Sequence, residues 1–316
     1  MSTETGAGGL KIVFMGTPEF AVPSLEILLN NNYVVAAVVT APEKPRGRGQ
    51  KPSPTPIGVI ARKNNLTLLA PQSLREKKLI ETLSAYRPDL IVVVAFRILP
   101  PEVFTIPRLG SFNLHASLLP KYRGAAPINY AIMNGEKETG VTTFLLQEKV
   151  DTGNILLQAR VPITEQDNAG TMHDKLAEVG AEIVLHTVQL IEQGKAKPHL
   201  QDDNIATPAP KIFKEDCRIQ WNQPARRVRD FIRGLAPYPG AFTRHRGKVL
   251  KIYKTALVDD ASGRKPGTLI ASANSLNITT SDSALAILEL QVEGRKTLEV
   301  EEFLRGYRIE SGETFE

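Results

Sequence analysis

An α/β fold built on a parallel-rich sheet, followed by a small β-barrel, is what the 316-residue sequence predicts. Three observations carry this expectation. The runs "YVVAAVVT" (33–40) and "DLIVVVAF" (89–96) are continuously apolar and β-branched, as strands buried on both faces of a parallel sheet must be. Amphipathic helical stretches alternate with them, which is the pattern of right-handed crossovers in a Rossmann-like sheet. Beyond residue 211 the apolar runs turn short, regular and turn-punctuated, which is barrel patterning of the OB-like kind.

The elements follow in order. "KIVFMG" (11–16) reads as the first strand, and "TPEFAVPSLEILLNNN" (17–32) as a helix start and an amphipathic helix. The turn between them, "MGTPEF", is not G-x-G-x-x-G, so a dinucleotide site has little support. The second strand, 33–40, leads into "APEKPRGRGQKPSPTPI" (41–57), whose glycines and prolines predict no regular structure. A helix over "LREKKLIETLSAYR" (74–87), the strand 89–96 and the strand "SFNLH" (111–115) come next. "VTTFLLQ" (141–147) and "ILLQARVPI" (155–163) are strands flanking the turn-rich "EKVDTGN", and residues 171–194 form a long helix ending at Gly194. The second part opens with a helix over "PARRVRDFIRGL" (224–235), followed by strand candidates beginning at Lys248, Gly267, Leu276, Leu285 and Lys296. Residues 1–194 are therefore expected to form the first domain, with 1–10 a loose arm. The polar, proline-containing 195–211 is the expected linker, and 212–316 the barrel.

Composition narrows the function. Residues 1–10 lack a basic start and an apolar core, and no run of about 18 apolar residues occurs, so neither a signal peptide nor a membrane span is expected. One cysteine, Cys217, suits a reducing cytoplasm. Five scattered histidines show no ligand spacing, so no metal is expected. The net charge of +5 is unevenly spread. Residues 211–265 hold fourteen Lys/Arg against five Asp/Glu, whereas 266–316 hold four against nine. A polyanion would meet the first stretch and avoid the second.

The chemistry concentrates in "FNLHASLLPKYRGAAPIN" (112–129). In open α/β sheets ligands sit at the carboxyl ends of strands, where this segment begins. Asn113 and His115, two apart in a strand, face one side, and Asp151 in the "VDTG" turn is the acidic candidate beside them. An amide and a cationic imidazole make an oxyanion site, suited to an amine attacking an acyl or formyl carbon. The amine proton would pass to Asp151 or His115. The same residues also fit a capped strand end. A serine hydrolase built on Ser117 fits less well, because no G-x-S-x-G elbow surrounds it.

"FNLHASLLPKYRGAAPI", with "VDTGNIL" downstream and "MGTPEFAVPSLEIL" upstream, closely resembles the folate-dependent formyltransferases. The resemblance makes Asn113, His115 and Asp151 the catalytic set and 10-formyltetrahydrofolate the co-substrate. It places the folate near Ser117, Leu118, Leu119, Pro120 and Gly124, and near Phe96 after the strand 89–96. There the chain departs from the family pattern: "AFRILP" is a residue shorter than usual and puts Arg97 at the strand exit.

Two further features bear on the acceptor amine. Lys44, Arg46, Arg48 and Lys51 make the 41–57 insertion a basic loop at the carboxyl edge of the sheet, able to order on nucleic acid. Arg226, Arg227, Arg229 and Arg233 fall in the basic opening of the second domain, with Trp221, Phe231, Tyr238, Phe242 and Tyr253 interleaved. "WNQPARRVRDFIRGLAPYPGAFT" extends the resemblance to family members that formylate initiator methionyl-tRNA, so that tRNA is the expected partner of a monomeric enzyme.

Overall fold

The computed structural model describes residues 9–46, 51–259 and 263–316. Its strands are β1 (Lys11–Gly16), β2 (Val34–Val39), β3 (Lys44–Arg46), β4 (Lys51–Ser53), β5 (Leu68–Leu69), β6 (Leu90–Val94), β7 (Ser111–His115), β8 (Arg123–Gly124), β9 (Glu138–Leu145), β10 (Ile155–Pro162) and β11 (Pro208–Ala209), then β12 (Ala241–His245), β13 (Lys248–Val258), β14 (Leu269–Ala271), β15 (Leu276–Thr279), β16 (Ala284–Val292) and β17 (Thr297–Glu299). The helices are α1 (Val22–Asn30), α2 (Pro56–Lys63), α3 (Lys77–Tyr86), α4 (Pro101–Phe104), α5 (Pro127–Met133), α6 (Ala169–Glu192), α7 (Ala225–Leu235) and α8 (Val300–Gly306). No described helix is long and apolar enough to cross a membrane.

The chain divides into two compact units. The first takes residues 1–124, 140–161 and 174–208, and the second takes 125–139, 162–173 and 209–316. Most of the expected linker groups with the first unit. Within it, His199 bridges Ile155, and the Thr207 hydroxyl accepts the Tyr122 N–H at 2.9 Å.

The first unit is a seven-stranded sheet in the order β10-β9-β7-β6-β1-β2-β5. β5, β2, β1, β6 and β7 run parallel, and β9 joins β7 antiparallel. Every residue of β6 is buried, as a strand covered on both faces requires. After β5 the chain crosses to the far side of β1, so the sheet's switch point lies between β1 and β6. Ligands of such sheets bind beyond the carboxyl ends at that point. Local chemistry places the helices: Thr55 caps α2 by accepting the Gly58 N–H, and Pro56 occupies its first position.

One expectation fails here. β3 and β4 pair antiparallel within the 41–57 insertion, Pro45 opposite Pro52. Among the described residues the pair has no further strand beside it, so prolines take edge positions where a missing N–H breaks no ladder.

The second unit is an antiparallel sheet ordered β12-β13-β16-β15-β14, with β17 on β16. Residues 312–316 close it into a barrel. Gly312 N–H bonds the Leu269 carbonyl at 2.9 Å, and Glu316 exchanges backbone hydrogen bonds with Arg244 at 2.9 and 3.3 Å. Trp221, Ile232, Leu250, Ile278, Leu290 and Phe303 fill the interior. The "KTLEVEEFL" run (296–304) is not one strand: β17 stops at Glu299 and α8 follows, with Phe303 turned into the core. Glu299 at the helix start and two acids in its first turn favour helix over further strand.

Candidate active site at the carboxyl edge of the sheet

Asn113 and His115 occupy alternate positions of β7 and so leave the same face. Asn113 lies between Val93 of β6 and Phe144 of β9, and His115 sits opposite Thr142. No hydrogen bond to the half-buried Asn113 amide occurs among the described residues, so its N–H groups remain available to a ligand.

The His115 ring is buried and flanked at both nitrogens. Nε2 is 2.8 Å from the Tyr122 carbonyl oxygen, and Nδ1 is 3.7 Å from Asp151 Oδ2. A carbonyl only accepts, so this network assigns the hydrogen to Nε2. Nδ1 is then the ring atom left to exchange a proton. It faces the carboxylate across a gap too wide for a hydrogen bond and short enough for strong Coulomb attraction to a charged ring.

Asp151 is itself clamped. Its Oδ2 accepts the Gly124 N–H at 2.9 Å, and its backbone takes φ 56. Gln201 Nε2 donates to the carbonyls of Asp151 and Gly153 at 2.9 and 2.8 Å. Arg123 orients Gln201 through Oε1 at 3.1 and 2.8 Å and reaches Asp203 at 2.7 Å. Gln201 left no signal in the sequence, because a lone glutamine in a polar stretch has no pattern. Tyr122 and Ala95 also hold left-handed backbone, at φ 61 and 47. Such conformations cost of order 1–3 kcal/mol each and gather at ligand sites.

Gly153 makes this clamp possible. A Cβ there would lie 1.6 Å from the Leu145 carbonyl oxygen. Gly153→Ala is therefore expected to push the turn off β9 and move Asp151. A misplacement of about 1 Å costs roughly a hundredfold in rate. Turnover measured beside a thermal melt checks this, and wild-type turnover in the variant would show that the turn has slack.

The segment 117–120 serves mainly as a frame. Ser117 is fully buried, and its hydroxyl donates to the Lys121 carbonyl at 2.6 Å. Thr142 Oγ1 donates to the Ser117 carbonyl at 2.7 Å and accepts from Leu119 N at 3.1 Å and Gln158 Nε2 at 2.9 Å. Among the described residues no hydrogen bond joins Ser117 to His115, and the Ser117 hydroxyl is committed to the Lys121 carbonyl, which disfavours the serine-nucleophile arrangement. Leu119 and Pro120 are buried too, whereas Leu118 and Gly124 are half-buried. Phe96 packs half-buried on the core beneath β6. Arg97 lies over its ring at 5.2 Å and donates to the carbonyls of Pro71 and Gln72, both at 3.0 Å. The shortened strand exit is thereby tied to the 71–72 turn, and burial lowers the guanidinium pKa.

The basic residues separate sharply. Lys44, Arg46 and Lys51 lie on the β3–β4 pair, and Arg48 falls outside the described residues. On α7, Arg233 is not a surface group. Its side chain is 9% exposed, bonds Asp230 at 2.7 Å, and donates to the carbonyls of Thr164 and Asp167, both at 2.9 Å. Arg229 is also enclosed, pairing with the Glu165 carboxylate and its carbonyl. Those two guanidiniums are engaged within the second unit, Arg233 by buried Asp230 and two carbonyls and Arg229 by the exposed Glu165. Hydrogen bonds from Arg229 and then Lys137 pull the Glu165 carboxyl down to about 2. Arg226 touches Glu165 at 3.3 Å from an exposed position, while exposed Arg227 has no acidic partner among the described residues.

Comparison with known proteins fits this arrangement. A family described as "Formyl transferase" matches residues 10–188, and "Formyl transferase, C-terminal domain" matches residues 211–308. A methionyl-tRNA formyltransferase of Bacteroides thetaiotaomicron is 45% identical over 313 residues, covering 96% of this chain and 97% of that one. One from Caldanaerobacter subterraneus subsp. tengcongensis is 47% identical over 305 residues, covering 96% and 99%. The fold is like that of HypX from Aquifex aeolicus in complex with tetrahydrofolic acid, at TM-score 0.66 and 20% identity. That likeness covers 98% of this chain and 51% of HypX, so the chain spans about half of HypX's length. With both parts matched in order and nearly the full length alike, the chain belongs to the formyl transferase family.

Proposed function

We propose that the chain transfers a formyl group from 10-formyltetrahydrofolate to the α-amino group of initiator methionyl-tRNA. The observation that carries this is the convergence of the Asn113 amide, His115 Nδ1 and Asp151 at one strand end. It occurs in a chain alike over its length to enzymes named for that reaction. The co-substrate supplies an electrophilic formyl carbon. Asn113 donates to the formyl oxygen as it gains negative charge. His115 Nδ1 takes the proton of the attacking amine, and Asp151 balances the charge on the ring. The same nitrogen returns the proton to the departing folate nitrogen, so the site ends as it began. Gln201 and Arg123 keep the carboxylate in place throughout. Leu118, Gly124 and Phe96 are the groups through which the carrier is held. A monomer working in the cytoplasm belongs to the same reading, with Cys217 a buried free thiol.

The acceptor's phosphates fall to the basic hairpin and to the exposed arginines of α7. β3 and β4 follow directly from β2, at the carboxyl edge of the sheet. Arg46 and Arg48 suit phosphates better than lysines do, because their planar fork pairs with two oxygens at once. The test is formylation of charged initiator tRNA, elongator methionyl-tRNA and free methionine, each at two salt concentrations. Rapid formylation of the initiator alone is expected. Changing Arg46 and Arg48 to Ala should raise the apparent KM for tRNA and flatten the salt slope by roughly two, about one released counterion per contact. Formylation of free methionine, or an unchanged slope in the variant, would move the acceptor to a small amine.

A further inference from the structure

We infer that a cleft on the second unit takes one unpaired nucleotide of the tRNA, its base on Phe231 and its phosphates on Arg218 and Arg227. This inference rests on the tRNA reading above. The cleft has a volume of about 310 Å³ and is lined by Arg218, Ile219, Gln220, Gln223, Arg227, Val228 and Phe231. That is the small end of the range for ligand pockets, with room for a single base.

Its chemistry comes in three kinds. Ile219 and Val228, each 2% exposed, form an apolar floor with half-buried Phe231. Two exposed guanidiniums, Arg218 and Arg227, stand at the cleft, and no carboxylate lines it. Neither has an ion-pair partner among the described residues, unlike Arg226, Arg229 and Arg233, which share α7 with Arg227. Gln220 and Gln223 present side-chain amides that bond nothing among the described residues, and an amide can both donate to and accept from a base edge. An aromatic face, paired amides and unneutralised arginines match a nucleotide's base face, base edge and phosphates in turn.

The cleft is also preformed. Ile219 N–H bonds the Phe242 carbonyl at 2.8 Å, Ser281 N–H bonds the Gln223 carbonyl at 3.2 Å, and Ala225 N–H bonds Asp282 at 2.8 Å. A duplex stem cannot enter, since its bases are stacked and paired. The occupant is therefore a base already free of pairing.

The test uses the full chain and uncharged initiator tRNA. A photo-reactive residue in place of Gln220 should cross-link to one unpaired nucleotide. Changing Arg218 and Arg227 together to Gln should weaken binding and reduce the salt slope by about two, and lysine at both positions should restore the slope. Phe231→Leu keeps the core filled and should weaken binding roughly tenfold, the scale of one lost base stack, with the slope kept. A thermal melt of each variant separates binding from folding. Cross-links spread over the paired stems, wild-type affinity in the folded double variant, or cross-linking to an acidic peptide rather than tRNA would each overturn the cleft. A wild-type chain that formylates methionyl-tRNA while failing these tests loses the cleft alone. A chain that cannot formylate methionyl-tRNA loses the proposed function.

Discussion

Replacing His115 by alanine is expected to lower formyl transfer by roughly two to four orders of magnitude, the range for losing a positioned proton-transfer group. The effect has two sources that a second variant separates. Alanine removes Nδ1, the atom facing Asp151 at 3.7 Å, and leaves the Tyr122 carbonyl without its 2.8 Å donor. Losing that bond costs about 0.5–1.5 kcal/mol and loosens the turn that brings Gly124 to Asp151. His115→Gln can still donate to Tyr122 but has no basic nitrogen. Its melting temperature should therefore stay near wild type while its turnover falls nearly as far as in the alanine variant. Single-turnover formylation with saturating folate reads the chemical step directly. A folded glutamine variant working within tenfold of wild type would remove His115 from proton transfer and leave it a positioning role.

Arg233→Ala is expected to destabilise the second unit by about 3–5 kcal/mol, the cost of breaking a buried ion pair from one side. Asp230, with a side chain 7% exposed, would lose its 2.7 Å partner. The carbonyls of Thr164 and Asp167 would lose their donor as well. Arg227→Ala should behave oppositely. It sits on the surface, where substitutions stay within about 0.5 kcal/mol, and its loss should appear in tRNA affinity and salt slope. Denaturant melts followed through Trp221, inside the second unit's core, report the first effect. Arg233→Ala as stable as wild type, yet unable to bind tRNA, would return that arginine to the nucleic-acid face.

Much of this molecule was legible in the amino-acid order. β2 and β6 announced themselves because a strand covered on both faces admits almost nothing polar. Asn113 and His115 were readable as a pair because a strand's two-residue period forces them to one side; the "VDTG" turn offered Asp151 as the acidic candidate, and the resemblance made the three a catalytic set. The β3–β4 pair was missed because prolines and glycines argue against ladders in general, while an isolated hairpin tolerates them. α8 was missed because "KTLEVEEFL" alternates like a strand over its first half. Gln201 was invisible: its role is two hydrogen bonds to carbonyls 50 and 48 residues away.

The arginines of α7 mark the boundary between the two kinds of information. Sequence alone determined that they are basic, helical and arranged in faces, because each residue turns the helix by about 100°. On α7 that rotation puts Arg226, Arg229 and Arg233 on one side and Arg227 on another, although the sequence reading had kept all four together. Which side meets protein was decided elsewhere in the chain. Glu165 and the carbonyls of Thr164 and Asp167 lie more than 60 residues away in sequence and reach α7 only through the tertiary fold. Helix periodicity is a local property of the backbone, whereas neutralising a guanidinium requires acceptors that only folding can bring within 3 Å. Three equivalent-looking arginines thus became scaffold or half-scaffold, and the fourth was left free to bind.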